Sequence, residues 1–125
     1  MREVISTPEA PASPLYSQAV KAGGFLYVSG LVGVDPARGV VAGPTIQEQT
    51  RQALKNCEAV VRAAGGTLDD VVEVGILLVD PDDFAGMNEE YARCFPHDPP
   101  ARYAAKLGAV LPGILISIRL TAYLG

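Results

Sequence analysis

The stretch from Ile114 to Leu124 is wholly apolar in one phase of a two-residue alternation and still partly apolar in the other, and nothing else constrains the fold as much. Ile116, Ile118, Leu120 and Ala122 point one way; Leu115, Ser117, Arg119, Thr121 and Tyr123 point the other. Successive side chains of a strand face opposite sides of its sheet, so this strand needs cover on both. Asp69 to Val79 behaves alike, with Val72, Val74, Ile76 and Leu78 on one face and Leu77 and Val79 on the other. A sheet built from such strands has one apolar face and a second, carrying Leu77, Val79, Leu115 and Tyr123, that is still too apolar to be left wet.

Only two segments have helical period. Thr45 and Glu48 form a capping-box pair. After them Ile46, Ala53, Leu54, Cys57, Val60, Val61 and Ala64 share one helical face, and Gly65-Gly66 supplies the left-handed stop. Asp80-Pro81 opens the second helix, whose apolar side carries Phe84, Met87, Tyr91 and Cys94 or Phe95. The rest reads as strands and turns. Residues 1–6 alternate weakly as an edge strand. Pro8, Pro11 and Pro14 lead into a strand over Leu15–Val20, which Gly23-Gly24 joins to Phe25–Gly30 as a hairpin. Asp35 to Gly39 is a further turn. The predicted order is βββαβαββ: one α+β domain over residues 1–125, with a single, mainly antiparallel sheet and two helices on one face. The uncovered apolar face predicts a closed homo-oligomer.

Composition narrows the function classes. Fourteen acidic against ten basic residues give a net charge of −4, without the basic footprint of a nucleic-acid binder. No stretch is long and apolar enough to span a bilayer, and Met1 to Ser6 lacks the core of a signal peptide. The expected location is the cytoplasm. Cys57 and Cys94 have no ligand spacing and read as reduced core thiols. His97 is the single histidine, set between Pro96 and Asp98 in a loop, so neither a histidine triad nor a metal site is expected, and no cofactor.

The segment Asp98-Pro99-Pro100-Ala101-Arg102-Tyr103-Ala104-Ala105 delivers one arginine, stiffly, at the start of a short strand. The prolines fix the backbone before it, and no acid near in sequence pairs with it. A guanidinium presents a planar fork that fits a carboxylate with two parallel hydrogen bonds. Arg102 therefore reads either as an anion-binding post or as a strand-end arginine reaching into water.

These residues resemble the YjgF/RidA family of enamine/imine deaminases over almost the whole chain. The resemblance rests on Ala10-Pro11, Pro14-Leu15-Tyr16-Ser17-Gln18-Ala19, Val28-Ser29-Gly30, the Gln49-to-Gly65 helix, Asn88-Glu89-Glu90-Tyr91 and Pro100-Ala101-Arg102. It implies a chorismate-mutase-like protomer in a trimeric barrel, with ligand clefts between subunits. By the same resemblance Arg102 clamps the carboxylate of a 2-imino or 2-enamino acid, and Tyr16, Ser29, Gly30 and Asn88 line the cleft. Water then attacks the imine carbon, giving ammonia and a 2-oxo acid. One departure stands out: where many family members carry a glutamate on the last strand, this chain has Arg119, and Ala104 replaces a frequent cysteine. Arg119 either reaches the cleft as a second cation or pairs with Glu73. The departure leaves two functional expectations, a hydrolytic deaminase and a trimeric carboxylate-binding protein with little or no catalysis.

Overall fold

The computed structural model describes residues 1–125, in eight strands and two α-helices. They are β1 (Glu3–Ile5), β2 (Ala19–Ala22), β3 (Phe25–Val32), β4 (Val34–Asp35), β5 (Val40–Val41), α1 (Ile46–Ala63), β6 (Val71–Leu78), α2 (Phe84–Cys94), β7 (Ala101–Lys106) and β8 (Ile116–Tyr123). Six strands form one sheet in the order β1-β2-β3-β8-β6-β7. All its pairings are antiparallel except β6 with β7, which the α2 crossover makes parallel. β4 and β5 form a separate ribbon around the Asp35–Gly39 turn, a pairing the sequence pattern showed only as a turn.

The expected α+β architecture is present, with both helices on one face of the sheet. The Thr45 side chain accepts from the Glu48 amide while the Glu48 carboxylate accepts from the Thr45 amide, closing the predicted box. Gly65 takes a φ of +91°, a conformation costly for any residue with a Cβ. The core joins Leu54, Val60 and Val61 of α1 with Met87 and Tyr91 of α2, over Leu26, Val28, Val74, Ile76, Ile118 and Leu120 of the sheet.

Two local readings need correction. Leu15 to Gln18 is not strand: Ser13 and Tyr16 form an isolated bridge, and β2 begins at Ala19. The buried Gln18 side chain explains the turn. Its amide donates to the carbonyls of Thr7, Ala10 and Pro11, and its oxygen accepts from the Thr7 amide. These bonds fold the proline-rich lead-in onto itself. In β6, Val72 is exposed and Val71 is buried instead. A register shift against β8 falls between Val71 and Glu73 and changes the phase of the alternation there.

Two more buried amides tie loops to α1. Gln49 donates to Gly43 and Gly113 and accepts from the Leu115 amide. Asn56 donates to Val32 and Val34. Both satisfy carbonyls that would otherwise be unpaired near the core.

On the opposite side of the sheet no helix packs. Phe25, Tyr27, Tyr103 and Tyr123 are all exposed there, with the Phe25 and Tyr123 rings 4.9 Å apart.

Candidate functional site

Pro99 and Pro100 deliver the chain to β7, an edge strand paired only with β6. Within it Arg102 pairs with Val74, whose side chain is buried beneath the helices. Arg102 therefore projects on the helix-covered face, toward α2. One guanidinium nitrogen donates to Asn88 Oδ1 at 2.7 Å. The guanidinium carbon lies 4.7 Å from the Tyr91 ring centroid and 5.5 Å from that of Phe84. Cation–π attraction, the Asn88 hydrogen bond and a longer one from the same nitrogen to Met87 Sδ at 4.0 Å hold the group in place, all with neutral partners. No carboxylate pairs with it: the ion pairs of the chain are Arg51–Glu90, Arg62–Glu58, Arg93–Glu90 and Arg119–Glu73. A guanidinium has five N–H donors, so most of this fork is uncommitted.

Tyr91 forms the wall of the site. Burial pushes its phenol up, against a smaller downward pull from Arg102 and a further upward push from Cys94. It stays a neutral ring, and its buried hydroxyl has no partner within the protomer. Sequence reasoning placed Tyr91 only in the core. Phe84, also read as core, is exposed beside the arginine. Their spacing from Asn88 along one helix face was the available signal.

The structure brings Arg102 and Asn88 together and leaves the other candidates elsewhere in the protomer. Tyr16, Ser29 and Gly30 lie at the β2–β3 side. Ser29 Oγ donates to the Ser17 carbonyl. Gly30 sits at the β3 register shift, where a Cβ would come within 2.9 Å of Ser117 Oγ. Two strands separate β3 from β7, which at the usual spacing is about 14 Å across the sheet.

Arg119 occupies the uncovered face. Its Nη1 is 3.5 Å from Glu73 Oε1 and 3.5 Å from Tyr103 Oη. The alignment follows from register: Arg119 pairs with Gly75, and Gly75 with Tyr103. The Tyr103 ring lies over Gly75, where a Cβ would come within 2.5 Å of it. Within one protomer Arg102 and Arg119 thus project from opposite faces of the sheet.

No group of three or more His, Cys, Asp and Glu side chains is arranged to hold a metal ion. His97 is exposed. Burial raises the Cys57 thiol to about 12, with a smaller push from Cys94. No helix is long and apolar enough to cross a membrane.

Fold and site together define an α+β protein that holds an acid-free arginine between two aromatic rings at a sheet edge. The family described as Endoribonuclease L-PSP matches residues 7–124, and the chain belongs to this family, the YjgF/RidA family. A RutC family protein of Pyrococcus horikoshii is 45% identical over 98% of both chains. Human 2-iminobutanoate/2-iminopropanoate deaminase is 40% identical, over 100% of this chain and 92% of its own. The crystal structure of RidA from an Antarctic Psychrobacter superposes with a TM-score of 0.91 at 37% identity, over 97% and 98% of the two chains. The family includes proteins named as imine deaminases at 40% identity to this chain.

Proposed function

We propose that this protein is a hydrolase that deaminates reactive 2-imino and 2-enamino acids, with Arg102 as the carboxylate clamp. The observation that carries the reading is the acid-free guanidinium, held by Asn88 and the Tyr91 ring with most of its donors free. Docked there, the carboxylate of a protonated imine would receive a bidentate, charge-assisted pair. Water adds to the electrophilic imine carbon, a proton shifts from oxygen to nitrogen, and the C–N bond breaks. Ammonium leaves and a 2-oxo acid remains. Fixing substrate and water together supplies proximity, which lowers barriers substantially.

The site is completed by a second copy of the chain. The exposed aromatics of the uncovered face need cover, and a homotrimer supplies it. Tyr16, Ser29 and Gly30 then enter the cleft from the neighbour. Clearing damaging imines in the cytoplasm is the physiological role this chemistry suggests.

A second reading is a trimeric carboxylate-binding protein with little catalysis. It is favoured by Arg119, which stands where the family's last-strand glutamate is expected and is tied to Glu73. Loss of a general base typically costs about 10²–10⁴-fold in rate. Ammonia release from imines made in place by an amino acid oxidase decides between the two. Acceleration by the wild type and none by Arg102→Ala supports the deaminase. Binding of 2-oxo acids without acceleration establishes the second reading, and equal acceleration by Arg102→Ala overturns the clamp.

A further inference from the structure

Past Arg102, on the same face of β7, the site continues into a groove that the clamp does not use. Leu78, Pro81, Phe84, Ala104, Ala105 and Lys106 line its volume of about 390 Å³. Alternation puts Arg102, Ala104 and Lys106 on one side of the strand. Phe84 joins the two regions, since its ring stands 5.5 Å from the Arg102 guanidinium carbon and also walls the groove. Ala104 offers only a methyl group, which keeps the floor low between the two cations. The groove is apolar along its length and cationic at its far end. The chain carries an excess of acids, yet none lines this space: Asp80, Asp82 and Asp83 flank Pro81 without entering it. Lys106 makes no ion pair in the protomer.

We infer that this groove is a side-chain subsite for 2-imino dicarboxylic acids, with the distal carboxylate on Lys106. The inference rests on Arg102 holding the carboxylate next to the imine. On an extended strand the Cα atoms of residues 102 and 106 stand about 13 Å apart. The reach of two long side chains from those positions leaves room between their charged ends for a dicarboxylate of glutarate length. The methylenes of the substrate cross Ala104 and Phe84, where apolar contact replaces water. A monocarboxylic imine would leave Lys106 unmatched and the groove wet. Arg119 cannot provide this second cation within the protomer, because it projects from the other face and is paired with Glu73.

The test uses stable 2-oxo acids, which keep both carboxylates in place without turnover. Titration calorimetry would compare 2-oxobutanoate with 2-oxoglutarate on the wild type, Lys106→Met and Arg102→Ala. The wild type is expected to bind 2-oxoglutarate at least about tenfold more tightly. Lys106→Met should reduce the preference to about twofold or less while leaving 2-oxobutanoate affinity unchanged. Lys106 is exposed, so the variant tests recognition and not folding. No preference in the wild type, or one that survives Lys106→Met, overturns the subsite even where Arg102→Ala abolishes binding of both acids. Undiminished 2-oxobutanoate binding by Arg102→Ala overturns the clamp instead, and binding of neither acid by the wild type overturns both.

Discussion

Arg102 has only neutral partners within the protomer, and the proposed clamp depends on that uncompensated charge. Arg102→Ala should abolish binding of small carboxylates, since charge-assisted pairs contribute about 1.5–3 kcal/mol each. Thermal unfolding should barely change, because the residue is exposed on an edge strand. A large fall in Tm with ligand affinity intact would make the arginine structural. Arg119 behaves differently. Both partners of its pair with Glu73 are more than a third exposed, so the interaction contributes little to stability in water. Arg119→Glu places two carboxylates side by side. It should raise imine hydrolysis if a carboxylate at that position activates water, and leave the mono- against dicarboxylate preference unchanged. A shift in that preference would bring Arg119 into the cleft after all. Cys57 gives a pH signature. Its thiol is raised in the folded state from 9.0 to about 12, so the native protein holds that proton more tightly than the unfolded chain. Stability from this group is therefore complete below pH 9 and falls as pH rises toward 12. Cys57→Ala should flatten denaturation midpoints across that window, apart from a uniform packing loss.

At the scale of elements, the legible parts were those whose signal is periodic. The long helix, its cap and its glycine stop stood in the sequence because capping and period agree over many residues. The setting of Arg102 was legible in part. Two prolines before an arginine marked Arg102, whereas the cage of Phe84, Asn88 and Tyr91 depends on how α2 lies along β7, which spacing does not state. Tyr16 was misplaced on a strand because three prolines look extended. What folds that segment is Gln18, a polar residue that ordinarily sits at the surface and here is buried to bind three carbonyls. The Val72 error is local: a register shift between Val71 and Glu73 changes the phase at the start of β6 alone, while Val74, Ile76 and Leu78 keep the expected face, and no composition rule signals it. Gln49 provides a direct test. Gln49→Leu keeps the volume and orphans the Leu115 amide and the Gly43 and Gly113 carbonyls. The expected loss is at least about 3 kcal/mol in denaturant unfolding, since each of the three polar groups left unpaired costs about 1–3 kcal/mol. A loss under half of that would show that solvent reaches these groups.

For the whole molecule, the uncovered sheet face is the surface on which the proposed assembly depends. Phe25, Tyr27 and Tyr123 present one aromatic surface, and Arg119, Glu73 and Tyr103 form a polar spot beside it. If the proposed homotrimer forms, Tyr27→Asp should shift light scattering from a trimer toward a monomer and reduce imine hydrolysis with it, because in that proposal each cleft draws on two copies. A monomeric wild type at micromolar concentration would remove that account. The order of the sheet has a separate consequence. β8 is the last strand in the chain and lies between β3 and β6, at the centre of the sheet. Synthesis runs from the amino end, so β3 and β6 emerge from the ribosome with the space between them unfilled. Their unpaired backbone edges stay open until Tyr123 has cleared the exit tunnel, and long-range pairings of this kind close slowly. Nascent chains stalled short of Ile116 should therefore be cut readily by protease and held by chaperones, and a stall long enough to release β8 should confer resistance in a single step.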